Sequence, residues 1–511
     1  MRVLLISANT ETISMPTLPL GLASVAAATK NAGHEVVLLN LMFEGDPKSI
    51  LRGTLQDFRP QVIGISVRNI DDQNMPEPRF LLSPVREVVA SCRSFSEAPI
   101  VLGGAGYSIF PESALRYLGA DMGIQGEGEV VFPLLLDRIG KGGEVSDLPG
   151  IHFAGQFAGS NIPPFPSLPR KRESTPLSTD VDLRIRGGDG RLSSCRVADV
   201  GTGPPSTLLS VPPALLTPRL RSASLSNAEG RDAERSRSVS ASRTGEPPPR
   251  HFEKNLDKLP LPEPSLWIPP AAGKRKLWVP VQSRRGCPLD CVFCSTSMIE
   301  GRAIRRRSAG IVVKWLAKLR ETGCRNFNFV DNTFNLPLPY AKDLCRQLIQ
   351  AELGLHLWCL IYPKWVDAEL VELMRRAGCR QISFGFESGS DQMLRSLHKR
   401  FDQREISAAS KLFAEAGIER MGFLLLGGPG ETKESVEESL SFADSLHLEA
   451  LKITTGIRIY PQTSLARIAA AEGVMQADDD LLFPRFYMQA GLRDWLPERV
   501  ATYKASRPWV N

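Results

Sequence analysis

The stretch RRGCPLDCVFCST sets three cysteines, Cys287, Cys291 and Cys294, at spacings of four and three residues. Thiolates are soft ligands that suit zinc, copper(I) and iron–sulfur clusters. A structural zinc site wants four ligands and usually joins one Cys-x-x-Cys to a second pair farther along. No second pair and no His-x₃₋₅-His follows here, and Cys324, Cys345, Cys359 and Cys379 stand alone in strand or helix patterns, where they read as small buried hydrophobes. A compact loop with three thiolates matches three irons of a [4Fe–4S] cube and leaves the fourth iron open to a ligand that is not protein. Arg284 and Arg285 precede the loop, where a cation could support an anionic cluster; solvated surface is the competing reading.

The elements that position this loop are legible as alternating strands and helices. Apolar runs near LWVPVQS, FNFVDNTF, HLWCLIY, QISFGFES, RMGFLLLGG and ALKITTGIRIY read as strands, separated by helical patterns such as VDAELVELMRRAG and REISAASKLFAEAG. Six such βα repeats in roughly 190 residues are too few for an eight-stranded barrel, but the loops after parallel strands remain the expected active face. The cysteine loop follows the first of these strands. An earlier series, RVLLIS, EVVLLNL, VIGISV and PIVLGGAG, is uniformly apolar and suits a parallel sheet covered on both faces. Its ligand loops would be Ser7 to Leu20, Asn40 to Asp46, Arg68 to Gln73 and Gly103 to Ser108, beyond the strand ends.

The chain has 511 residues, 42% hydrophobic and 23% charged, enough for two or three soluble domains. It shows no uninterrupted apolar run of about 18 residues and no secretory leader pattern at its start, so no transmembrane segment and a cytoplasmic location are expected. Nine cysteines, an odd number, argue for reduced thiols rather than a disulfide framework. Of the net charge of +6, +5 sits between residues 155 and 250, where 14 Lys and Arg face 9 Asp and Glu; without a basic stripe elsewhere, nucleic acid is not an expected partner. That stretch, rich in Pro, Ser, Arg and Gly, is expected to be a disordered insertion or linker with no part in the chemistry.

Taken together, these segments resemble the radical S-adenosylmethionine (SAM) enzymes that carry an N-terminal cobalamin-binding domain, of the class B methyltransferase type. Cys-x₃-Cys-x₂-Cys with Phe293 before the third Cys resembles the signature whose open iron chelates the amino and carboxylate groups of SAM. The resemblance implies an α/β chain: a doubly wound Rossmann-like cobalamin domain over 1–145, the insertion over 155–250, a partial (β/α)6 TIM-type barrel over 251–470 and a C-terminal capping segment over 471–511. It implies SAM contacts by Phe293, Asp331, Asn332, Glu387 (on the ribose), Gly427, Gly428 and Pro429, with Gly430 in the same turn and Tyr460 and Thr463 as weaker candidates. It implies cobalamin contacts by Arg68, Asn69, Gly103, Gly104, Gly106, Gly126, Glu127 and Gly128. A nucleotide-binding or ligand-free Rossmann-like domain is the alternative for this half, and a capped turn for Asp331 and Asn332.

Many such domains carry Asp-x-His-x-x-Gly, whose His replaces the cofactor's own base below cobalt; the corresponding region here, LLNLMFEGDP, has no His. Cobalamin without a protein histidine ligand is therefore expected, with Arg68 or Asn69 facing the lower side of the corrin. The implied reaction is methylation of an unactivated carbon of an unknown small molecule, lipid or peptide, driven by reductive SAM cleavage with an electron from a flavodoxin or ferredoxin. Radical cyclisation or rearrangement, polar methylation, and a non-catalytic cobalamin- or SAM-binding sensor are the competing readings. Phe486, Tyr487, Trp495 and Trp509 are the aromatics with which the C-terminal segment would shape a substrate pocket, core packing being the alternative.

Overall fold

The computed structural model describes residues 1–11, 16–43, 46–154, 249–269 and 277–510. The expected disorder over 155–250 therefore falls, but for its last two residues, outside the described residues.

Six strands form the first sheet: β1 (Arg2–Ser7), β2 (Glu35–Asn40), β3 (Val62–Ser66), β4 (Ile100–Gly103), β5 (Met122–Ile124) and β6 (Ile151–Phe153), in the order β2-β1-β3-β4-β5-β6. The first five run parallel, and the strand order reverses between β1 and β3, the switch point at which doubly wound sheets bind ligands. The uniformly apolar strands explain the layering. Val3, Leu5 and Val62 face helices 20–31 and 128–141, while Leu4, Ile6 and Ile63 face the helices that carry Leu51, Val85 and Leu115. Two short strands escaped the sequence pattern. β5 has three residues, and β6 is an antiparallel edge strand that carries the sheet past the expected end at 145.

The second sheet holds β7 (Val279–Val281), then, after a two-residue ribbon of β8 (Arg284–Arg285) and β9 (Arg305–Arg306), β10 (Asn326–Phe329), β11 (His356–Ile361), β12 (Cys379–Glu387), β13 (Glu419–Leu426) and β14 (Ala450–Thr455). All six strands of this sheet are parallel and in the order β14-β13-β12-β11-β10-β7, which is the expected open six-stranded barrel. Its helices start on local signals: Asp367 accepts from the Leu370 N–H at 2.8 Å, and Asp402 with Glu405 forms a reciprocal capping box. Trp358, Met421 and Phe423 fill the barrel's interior.

The sixth strand is shorter than its apolar run suggests. Gly456, at φ +75°, ends it after Thr455, so GIRIYPQT does not close it; β15 (Ile457–Arg458) pairs instead, antiparallel, with β16 (Phe486–Tyr487). The C-terminal segment follows the edge of β14, where Leu451 bridges to Val510 and its N–H donates to the Trp509 carbonyl at 2.9 Å. Among the described residues no helix is long and apolar enough to cross a membrane.

Candidate active site

A cavity of about 1180 Å³ opens where the carboxyl ends of both sheets meet. The first sheet supplies Arg68, Asn69, Gly103, Gly104, Gly106, Gly126, Glu127 and Gly128 to its wall; the barrel supplies Phe293, Cys294, Asp331, Asn332 and Tyr460. All eight cobalamin candidates and three of the seven SAM candidates thus border one space, with Cys294 on the same wall.

Why the glycines are needed differs from the expectation of ligand approach. Gly104 sits at φ +101°, and a Cβ there would lie 2.6 Å from the Val67 carbonyl oxygen; one on Gly106 would lie 3.0 Å from that of Arg68. Both glycines let the turn after β4 pack against the loop after β3, which sets Arg68 and Asn69 on the wall. Gly104→Ala is expected to cost about 1–3 kcal/mol in a denaturant melt through strain in this backbone region. Cobalamin affinity should fall with it, because the Arg68 loop is displaced.

The two sheets are joined by buried ions. Arg285 lies 2.5 Å from Glu129 and 3.2 Å from Glu127, and Arg305 lies 2.6 Å from Glu127. Burial pushes the Glu129 carboxyl up, but Arg285 beside it more than reverses this and holds it below the usual range. On the far side, Asp71 meets Arg458 at 2.7 Å, and the Gln73 amide donates to the Tyr460 hydroxyl at 2.9 Å. Neither arginine before the cysteine loop is solvated surface. Arg285 bridges the sheets, and fully buried Arg284 donates to the Thr333 carbonyl at 2.9 Å and the Gly286 carbonyl at 3.1 Å, tying the loop to the turn after β10.

Cys287 and Cys291 are buried, Cys294 is partly exposed, and none is in a disulfide. Burial pushes the Cys287 thiol up to about 12, whereas a hydrogen bond from Cys291 brings Cys294 down to about 7, with the Thr296 N–H donating to its sulfur at 3.4 Å. Among the described residues no three His, Cys, Asp or Glu side chains converge tightly enough for a single metal ion, whereas a cube offers each thiolate its own iron. The donor set, three free thiols on one loop at a cavity's edge, fits such a cluster, and metal binding would strip the protons that burial retains.

Asp331, on the wall, accepts from the N–H groups of Ser283 at 2.8 Å and Arg284 at 3.2 Å, so it braces the loop as well as facing the cavity. Asn332 donates to Glu300 at 2.5 Å. Glu387 is not on the wall. It ends β12 at φ +62° after a register shift, and its side chain pairs with Lys399 at 3.2 Å, leaving Oε2 buried without a partner. Lys399 in turn lies over the Phe293 ring at 5.5 Å, so the pair sits behind the cluster loop. Gly427, Gly428 and Pro429 also lie off the wall. The amides of Gly427 and Gly428, expected to be free for SAM, donate to Glu431, whose carboxyl burial pushes up to about 7, and Gly430 donates to Gln489 at 2.7 Å. Thr463 is taken up by capping helix 464–471. The C-terminal aromatics miss the wall too; that segment reaches it through Pro497, Val500, Ala501 and Lys504.

Sequence reading missed Arg305, Lys399, Arg458 and Lys504. No local spacing marks them: the partners of Arg305 and Arg458 are distant in the chain, Lys399 meets Glu387 across the turn after β12, and Lys504 has no ion pair among the described residues.

The sequence model of the Radical SAM superfamily matches residues 281–443, and that of the B12 binding domain matches residues 6–136. An uncharacterized methyltransferase of Pyrococcus horikoshii is 23% identical, covering 93% of this chain and 84% of its own length. A tryptophan 2-C-methyltransferase of Streptomyces laurentii is 24% identical, covering 91% of this chain and 74% of its own. In fold, the chain is similar to the radical SAM methyltransferase TsrM of Kitasatospora setae, solved with cobalamin and a [4Fe–4S] cluster, at a TM-score of 0.72, 20% identity, and coverage of 100% of this chain and 90% of that one.

Proposed function

The chain belongs to the radical SAM enzymes that carry a B12-binding domain, and on that premise we propose that it methylates an unactivated carbon of a small-molecule substrate. One observation carries this reading: Cys294 of the cluster loop and the glycine turns of the first sheet wall the same cavity. Cys287, Cys291 and Cys294 would hold a [4Fe–4S] cluster and the loops of the first sheet cobalamin; bound there with SAM, these groups would supply reductive SAM cleavage and a transferable methyl group. The protein's residues supply the arrangement. Arg284 and Asp331 hold the loop rigid, the Arg285–Glu129 and Arg458–Asp71 pairs lock the two sheets at one separation, and the apolar plug of Trp358, Met421 and Phe423 closes the barrel to water from below. The cleaving electron comes from outside the chain, and a small donor such as a flavodoxin or ferredoxin fits that need, since the other described cysteines are buried and stand apart from this loop.

Cobalt is proposed to lack a protein histidine ligand. None of the chain's six histidines lines the cavity, whereas Arg68 does, without an ion-pair partner among the described residues. Burial lowers the pKa of its guanidinium, but an arginine stays protonated and cannot ligate a metal. In protein carrying ¹⁵N-labelled histidine, the spectrum of the cob(II)alamin form is expected to show no coupling to that label; coupling would overturn the assignment. Reconstituted with iron, sulfide and cobalamin, then given SAM and a reductant, the enzyme is expected to form both 5′-deoxyadenosine and S-adenosylhomocysteine. S-adenosylhomocysteine alone would replace the radical reading with polar methylation, and neither product would remove methylation.

A further inference from the structure

The carboxylates on the cavity wall are largely spent on other partners. Glu127 and Glu129 hold arginines, Asp71 holds Arg458, and Asp331 and Glu300 accept from the cluster loop and its neighbours. Besides Arg68 on the first sheet, two cations on the barrel side of the wall are not spent. Lys452 projects from β14 in register with Phe423, whose ring belongs to the apolar plug, and Lys504 comes from helix 496–505, which packs along β14. Both are partly buried, and neither has a hydrogen bond or ion pair among the described residues.

Burial pushes both ammonium groups down, and for Lys452 the charge of Lys504 adds to this, opposed in part by Asp72. Asp72 does not neutralise the pair, because its one negative charge already faces the Arg79 guanidinium at 3.8 Å. Two neighbouring cations held partly out of water repel each other and forgo solvation, and an oxyanion between them would relieve both costs. Both lysines belong to the second sheet and its last helix, so the anion they await stands on the barrel side of the cavity.

We propose that Lys452 and Lys504 form an anion subsite that binds a carboxylate or phosphate group of the substrate, so that the enzyme acts on acidic small molecules. This rests on reading the cavity as the reaction chamber. The probe is pyridoxal 5′-phosphate, an anionic aldehyde that condenses with a lysine amine to an imine and water; borohydride then reduces the imine, and peptide mapping locates the label. In the full-length cobalamin-loaded protein, Lys452 or Lys504 is expected to label about tenfold faster than exposed lysines such as Lys48 and Lys411, because the second ammonium holds the anionic probe beside the reacting amine. Inorganic phosphate and acetate, tested separately, distinguish a phosphate from a carboxylate site by which one slows the labelling. Lys504→Gln is expected to weaken that protection at Lys452 while cobalamin uptake, which reports folding, is unchanged.

Labelling at the ordinary surface rate, or protection by neither anion, would overturn the proposal. So would labelling that cobalamin itself suppresses, which would assign the lysines to the phosphate of that cofactor. Iron content and substrate-free SAM cleavage, measured on the same preparation, report on the methylation reading separately; should they fail while labelling and protection hold, the anion subsite stands and the methylation reading falls.

Discussion

Replacing any one of Cys287, Cys291 and Cys294 with Ala is expected to abolish reductive SAM cleavage and cluster iron while leaving cobalamin uptake intact. In the proposed cluster each thiol would serve a different iron, so no neighbour would substitute for the one removed; the loss should exceed the roughly 10- to 100-fold drop in affinity that follows loss of an outer, supporting contact. The fold should survive, because the loop is held by groups other than sulfur: Arg284 on the Thr333 carbonyl, Asp331 on the Ser283 amide, and the Cys287 N–H donating to the Gly301 carbonyl at 3.1 Å. Cys324→Ala is the control. That thiol is buried among apolar side chains away from the loop, so iron should be unchanged and stability should fall by about 1 kcal/mol. Iron per chain, cobalamin absorbance and 5′-deoxyadenosine formation check the set, and an iron-replete Ala variant at any of the three positions would sink the cluster assignment.

Arg285→Ala is expected to destabilise the protein by about 3–5 kcal/mol near neutral pH, the usual result of removing one partner from a buried pair. The mutation strands Glu129, which is only 4% exposed at its side chain, and takes from Glu127 one of its two arginines. The pH dependence has a definite sign. In the native protein Arg285 holds the Glu129 carboxyl below the ordinary glutamate range, so the stability it contributes is present above that range and is lost as pH falls through the depressed value. In the variant, burial is the largest influence left, opposed only by a backbone hydrogen bond and the charge of Arg307, and it raises the same carboxyl, which then takes up a proton as pH falls and escapes its desolvation penalty. The difference between the two proteins should therefore be largest at neutral pH and should narrow towards acid. Denaturant midpoints between about pH 4 and 8 measure it. A difference that is flat or widens in acid would show that Glu129 is not the group left stranded. Because these ions join the two sheets, the variant should also bind cobalamin more weakly than its loss of global stability explains.

Comparison of sequence and structure separates local information from distant pairing. The cluster loop, the uniformly apolar strands and the helix starts at Asp367 and Asp402 were legible because each depends on neighbours a few residues away. Spacing determined that three thiols would share a loop, and periodicity determined two α/β units, the second with six parallel strands. β5 and β6 have three residues each and, unlike β7 within LWVPVQS, no longer apolar run around them from which a pattern can be recognised.

What tertiary structure decided is which strand ends face one another. Gly103, Gly104 and Gly106 could be marked as a turn after a strand, but not as the wedge that seats the Arg68 loop. The amides of Gly427 and Gly428 could be marked as available, but not as already given to Glu431. Buried ions cannot be read from sequence, because an isolated Arg, Lys, Asp or Glu carries no sign of a partner more than a hundred residues away. The same limit hid Lys452 and Lys504. In the sequence they are two ordinary lysines, and only the packing of the last helix along β14 brings them to one cavity, where the cost of leaving them unpaired gives the site its preference for an anion.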